Sequence, residues 1–109
     1  NKLEYFLNFI CLNYMTTCNK NLDELSIEEL QKLFERQSEE IKSIESMSND
    51  DKLYLYKYYK QSTIGNINIE IPSFFDFIGH QKYNAWKSVE YTSSSISMKK
   101  YILHTYNLL

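Results

Sequence analysis

Turn-forming residues are scarce in this chain: two glycines and one proline occur in 109 residues. A sandwich or barrel built from many hairpins needs more, so such architectures are disfavoured. Alanine occurs once, at Ala85, while Asn, Lys, Ile and Tyr are abundant. These four have A/T-rich codons, so the tyrosine count alone carries no functional weight. Cysteine is limited to Cys11 and Cys18. On a helix they would stand about 10 Å apart, too far for a disulfide. His80 and His104 stand alone, and no CxxC or HExxH spacing exists, so no metal site is expected. GxSxG, Walker A and GxGxxG motifs are missing; Gly65 and Gly79 are fourteen apart. No enzyme and no cofactor are expected. Excess positive charge is also lacking. The net charge of −2 and pI of about 5.7 argue against a nucleic-acid partner.

What is present describes one ordinary soluble domain. Hydrophobic residues make up 43% and charged residues 24%. A chain of this length holds one core without a staple. The charge is unevenly spread. Residues 20–51 carry ten carboxylates against four cations; residues 52–109 carry seven lysines against three carboxylates. An acidic ligand would sit on the second half, unless the halves neutralise each other across the fold.

Residues 3–15 form an apolar run, below the roughly 20 residues that span a bilayer. Leu3, Phe6, Leu7, Ile10 and Tyr14 recur at helical spacing, which predicts an amphipathic helix docked on the domain. A signal-peptide remnant is the other reading of this run. Ser26-Ile-Glu-Glu29 is a capping box, with Leu25 and Leu30 placed as a hydrophobic staple. The first helix of the domain follows and is expected to end near Glu45. Ser48-Asn-Asp-Asp51 opens a second helix, closed by Gly65. Residues 65–77 contain Pro72 and no helical period. A loop this long inside a small helical domain is functional or crosses the bundle. A third helix runs from about Gly79 to Val89. Ser93 or Ser94 caps a fourth that runs to the end, with Met98, Tyr101, Thr105 and Leu108 on one face. The fold class is all-α: a four-helix bundle with a long loop between helices two and three, plus a helical N-terminal extension. Residues 1–25 are the extension and 26–109 the domain.

Two lysines fall on apolar stripes. Lys60 shares a half of helix two with Leu53, Leu55, Tyr56 and Tyr59. Lys82 shares a stripe of helix three with Ala85, Trp86 and Val89. A lysine there must snorkel, pair with a carboxylate, or bind an anion. Two of them beside Tyr56, Tyr59 and Tyr101 suggest a half-open pocket with phosphate-seeking charge and aromatic walls. Pairing with the acidic first helix is the competing reading, and spacing alone does not decide between them.

Residues 53–102 resemble the acyl-CoA-binding protein family. The resemblance is carried by Leu55-Tyr56-x-x-Tyr59-Lys60-Gln61-Ser62-Thr63-Ile64-Gly65 and Asn66-Ile67-Asn68. It continues through Pro72, Asp76-Phe77-x-Gly79-x-x-Lys82-Tyr83-x-Ala85-Trp86 and Met98-Lys99-x-Tyr101-Ile102. With helix one included, it covers roughly residues 34–109. The resemblance implies a four-helix bundle with an overhand connection between helices two and three. It implies that Tyr56, Tyr59 and Tyr101 line the adenine and acyl site. Lys60 and Lys82 would hold phosphates, and Lys42 would be a further basic contact. Tyr83 replaces a Trp, Ile71 a basic residue, Ser73 a Gly, and Gln37 and Ser38 two small apolar residues; these departures bear on chain length and affinity. The function implied is binding long-chain fatty acyl-CoA as an intracellular carrier in lipid metabolism, without turnover. A helical interaction module with a vestigial site is the alternative. A cytoplasmic monomer is expected, meeting acyl-CoA-using enzymes or a membrane surface transiently. Residues 1–25 hold no site residue and should be dispensable for ligand recognition.

Overall fold

The structure, a computed structural model, describes residues 22–109. The apolar run at 3–15 and both cysteines lie outside the described residues. Helix α1 spans Ile27–Glu40 and starts on the expected capping box. The Glu29 amide donates to Ser26 Oγ at 3.1 Å, and the Ser26 amide donates to Glu29 Oε1 at 3.3 Å. The helix ends earlier than Glu45. It tightens into a 3₁₀ turn over Ile41–Ser43, after which Ile44 is extended. Its last turn holds Glu39 and Glu40 and no basic residue. Negative charge at the negative end of the dipole favours early termination.

Helix α2 spans Asn49–Thr63 and is capped by Ser48, whose Oγ accepts from the Asp51 amide at 3.1 Å. It stops at Gly65, which has φ +98°. The Ile64 and Gly65 amides both donate to the Lys60 carbonyl. That left-handed closure requires glycine. Helix α3 spans Phe77–Ser88, starting two residues before the expected Gly79. The reason is Asp76, whose carboxylate accepts from the Gly79 amide at 2.9 Å. A Cβ at position 79 would collide with that carboxylate. Helix α4 spans Ser94–Leu108 and is capped by Ser93.

Cross-helix contacts give the directions. Ser94 Oγ donates to the Ser62 carbonyl, and His104 meets Asp51, so α2 and α4 are antiparallel. Asp23 pairs with Lys99 just before α1, and Gln37 with Thr105 near its end, so α1 and α4 are parallel. Asn49 meets Gln81 and Lys60 lies over Trp86, so α2 and α3 are parallel. Parallel neighbours cannot be joined by a tight turn. The loop at 65–76 is long because it must return to the start of α2 before α3 begins. The main core joins Leu22, Leu30, Leu33, Phe34, Ile41, Leu55, Tyr101 and Ile102. Leu22 lies upstream of the capping box, so packing reaches back to at least that residue.

One polar pair is sealed in this interior. Gln37 Nε2 donates to Thr105 Oγ1 at 3.0 Å, and that hydroxyl donates to the Ile102 carbonyl at 2.6 Å. Thr105 is fully buried. Thr105→Val keeps the shape and strands the Gln37 amide. It should destabilise the fold by about 1–3 kcal/mol. A urea titration reads this as a lower midpoint at unchanged slope. Adding Gln37→Met, which removes the stranded group, should recover part of the loss.

Candidate functional site

The face of α2 that meets α3 presents Tyr56 and Lys60, one turn apart. Lys60 Nζ lies 5.9 Å from the Tyr56 ring centroid and 5.6 Å from the Trp86 ring. From α3, Lys82 Nζ lies 5.5 Å from the same Tyr56 ring. One phenol thus has two ammonium groups beside it. Among the described residues the lysine ion pairs are Lys42–Glu39, Lys87–Glu90 and Lys99–Asp23. The acidic first helix therefore does not neutralise Lys60 or Lys82, and that reading is not realised. A ring face offers a cation roughly 0.5–1 kcal/mol at an exposed site. That orients the ammonium groups without cancelling their charge.

The platform beneath Lys60 is rigid. Trp86 is 1% exposed, and its Nε1 donates to the Gly65 carbonyl at 2.9 Å. Gly65 can present that carbonyl because it takes the positive φ that closes α2. In the sequence Trp86 is a neighbour of Lys82 on a stripe and part of the motif that carries the resemblance. Its role as the seat of Lys60 depends on how α2 and α3 align, which spacing does not give.

The other predicted residues divide. Tyr59 is half exposed and bridges the surface to the core, stacked on Phe34 at 5.6 Å and 6.0 Å from Tyr101. Tyr101 lies beneath it, 4% exposed and edge-on to Phe34 at 4.9 Å. Burial pushes the Tyr101 phenol up to about 12, so it stays protonated and can donate a hydrogen bond. Burial also raises the Tyr56 phenol. Lys42 is exposed in the 3₁₀ turn, with its Nζ 3.0 Å from Glu39 Oε1.

One constellation was not legible in the sequence. His104 Nε2 lies 2.8 Å from Asp51 Oδ1, the Ser48 hydroxyl donates to Asp51 Oδ2 at 2.7 Å, and Tyr54 stacks on the imidazole at 4.1 Å. Serine and histidine here share one carboxylate, so histidine does not activate the serine. This is not the order a hydrolytic triad needs. It fastens the start of α2 to α4. The Ser48 hydrogen bond, then His104, hold the Asp51 carboxyl below its ordinary value of 3.8. A lowered folded value gives stability that is present above 3.8 and lost as pH falls through it. Melting curves should therefore drop more steeply below pH 3.8 in the wild type than in Asp51→Asn. Parallel curves would remove the fastener.

Open clefts lined by described residues lie elsewhere. One of about 420 Å³ is lined by Gln61, Ser62, Asn66, Tyr91 and Ser94. Another, about 450 Å³, is lined by Leu53, Tyr54, Lys57, Gln81 and Asn84. Neither of these two is lined by Lys60 or Lys82; Lys60 is half-buried and Lys82 exposed. Among the described residues, no group of His, Cys, Asp or Glu is placed to hold a metal. None of their helices is long and apolar enough to cross a membrane.

Comparison with known proteins points one way. The family model for acyl CoA binding protein matches residues 31–104. The chain is 45% identical over 74 residues to acyl-CoA-binding domain-containing protein 6 of Bos taurus, covering 67% of this chain and 26% of that protein. It is 42% identical over 81 residues to acyl-CoA-binding domain-containing protein 1 of rice, covering 73% of this chain and 89% of that one. The chain thus spans about a quarter of the bovine relative's length and most of the rice relative's. In three dimensions it is similar to the crystal structure of Oryza sativa acyl-CoA-binding protein 2. That match has a TM-score of 0.69 at 39% identity, covering 72% of this chain and 89% of the other. The Moniliophthora perniciosa protein matches with a TM-score of 0.65 at 38% identity, covering 68% and 74%.

Proposed function

This chain belongs to the acyl-CoA-binding protein family, and from that premise we propose that it binds long-chain fatty acyl-CoA esters and carries them without turnover. The observation that supports this most is the pair of unneutralised ammonium groups, Lys60 and Lys82, set around Tyr56. Their chemistry suits phosphate, which accepts charge-assisted hydrogen bonds worth roughly 1.5–3 kcal/mol each. Tyr56 and Tyr59 offer ring faces for a base, and the Tyr101 phenol is a neutral donor. Withdrawing a C16 chain from water contributes about 0.8 kcal/mol per methylene, gross on the order of 10 kcal/mol. Association and ordering offset much of this. A lone chain would partition equally well into membranes, so the headgroup contacts supply the specificity.

Calorimetric titration tests the reading with palmitoyl-CoA, free CoA and free palmitate. The ester should bind one to one, and more tightly than either fragment. Palmitate binding as tightly as the ester would remove the role of the lysines. A flat ester titration on folded protein would leave the interaction-module alternative instead.

A further inference from the structure

The loop that crosses the bundle ends in a cluster of apolar side chains with no cover. Within ten residues lie Ile69, Ile71, Phe74, Phe75, Phe77 and Ile78, each about half exposed or more. Phe74 and Phe75 are 78% and 81% exposed and pack edge to face on each other, with centroids 5.4 Å apart. Other exposed apolar residues, such as Ile27, Ile64 and Leu103, stand singly along the sequence. Scattered residues are ordinary; a contiguous patch marks an interaction surface.

The structure assigns this cluster as a wedge that enters the interfacial layer of a lipid bilayer. Three observations favour lipid over a protein partner. Side chains exposed to this degree stand off the surface and do not line a groove. A protein partner would need a fitted pocket for each; acyl chains adapt to any shape. Second, the segment carries Glu70 and Asp76 and no cation. The Asp76 carboxylate is already engaged by the start of α3. Attraction to an anionic partner is therefore not what would hold the wedge; apolar insertion is. Third, the wedge is continuous with the ligand site. Ile78 and Lys82 are one turn apart on α3 and share a face. This third point rests on the acyl-CoA reading: the ester's own acyl chain partitions into bilayers, and the wedge would seat Lys82 where such a headgroup emerges.

The test is flotation of the full chain with phosphatidylcholine vesicles. The wild type should float, and Phe74→Ser/Phe75→Ser should lose at least tenfold in partitioning. The palmitoyl-CoA titration of that variant in solution should stay within threefold of wild type. In a second arm, Phe75→Trp should be quenched by brominated phosphatidylcholine, whereas the wild type, whose described Trp86 is buried, should not. Wild type that ignores these vesicles while binding ester overturns the wedge and leaves the ligand reading intact. Vesicle binding lost in the double variant, with a flat ester titration in the wild type, keeps the wedge and removes the ligand reading. Binding that requires phosphatidylserine and vanishes with salt overturns the wedge in favour of surface lysines. Binding that survives the double variant but is lost on deleting residues 1–21 overturns it in favour of the N-terminal run. A concentration-dependent dimer abolished by the double variant, with no vesicle binding, shows a second copy on this face and overturns it too.

Discussion

Lys60→Ala and Lys82→Ala should each weaken palmitoyl-CoA binding tenfold or more, and each unliganded variant should melt at or above the wild-type temperature. The binding loss follows from replacing a phosphate contact by water. Tenfold corresponds to about 1.4 kcal/mol, at the lower edge of a charge-assisted hydrogen bond. The unchanged melting follows from what surrounds each ammonium group. Its contacts are ring faces of Tyr56 and Trp86, and neither lysine has a carboxylate partner among the described residues. Losing a modest ring attraction is offset by removing one of two like charges beside one phenol, and for half-buried Lys60 by relief of desolvation. A structural ion pair would give the reverse: lower melting and intact binding. Raised salt should also weaken wild-type binding, because these contacts are open to screening. Unchanged affinity in both variants would remove the headgroup assignment.

Trp86→Ala should destabilise the fold by about 3–5 kcal/mol. That is a large share of the 5–15 kcal/mol typical of a small domain. The indole is 1% exposed and joins α3 to the end of α2 through the Gly65 carbonyl. Its loss leaves a cavity, an unpaired carbonyl and no seat for Lys60. Trp86→Phe separates these effects. It keeps most of the packing and a ring beneath Lys60 but loses the indole donor, so it should cost about 1–3 kcal/mol. Urea unfolding checks both. A loss under about 1 kcal/mol for the alanine variant would mean that α3 is held by other contacts.

Local chemistry made much of this fold readable. Ser26, Ser48 and Ser93 begin helices in the structure as the residues around them require, because an N-cap depends on three or four neighbours. The crossing loop was visible as a stretch without helical period. Asp76 and Gly79 have the spacing of an N-cap and its N3 amide, but a glycine reads as a helix boundary as readily as a first-turn residue, so α3 begins two residues before the predicted start. The sequence predicts a longer α1 because its apolar residues continue past Glu40, while the backbone turns away there. The site was half legible. Helical wheels brought out Lys60 and Lys82 as anomalies, but their shared phenol requires two helices to align in parallel. The Asp51–His104 contact joins residues 53 positions apart and leaves no trace in spacing. Lys42 rests on the resemblance alone, whereas Tyr101 also falls on the α4 face that the sequence sets beside the two lysines. Lys42 pairs with Glu39 at the surface, and Tyr101 is a core residue with one face toward Tyr59.

The alignment of α1 along α4 dictates an order of events during synthesis. The apolar side of α1 buries Leu30, Leu33 and Phe34, and its cross-helix partners include Tyr101 and Thr105, about 70 residues downstream. A ribosome delivers α1 well before α4. While α2, the loop and α3 emerge, α1 has a capped start but an uncovered flank. Such a flank is a natural target for holding chaperones and a hazard for association between nascent chains. A premature stop before residue 101 would therefore do more than shorten α4. It would strip the α4 side of the cover from α1, far upstream, and leave Phe34 with Tyr59 as its ring partner but without Tyr101.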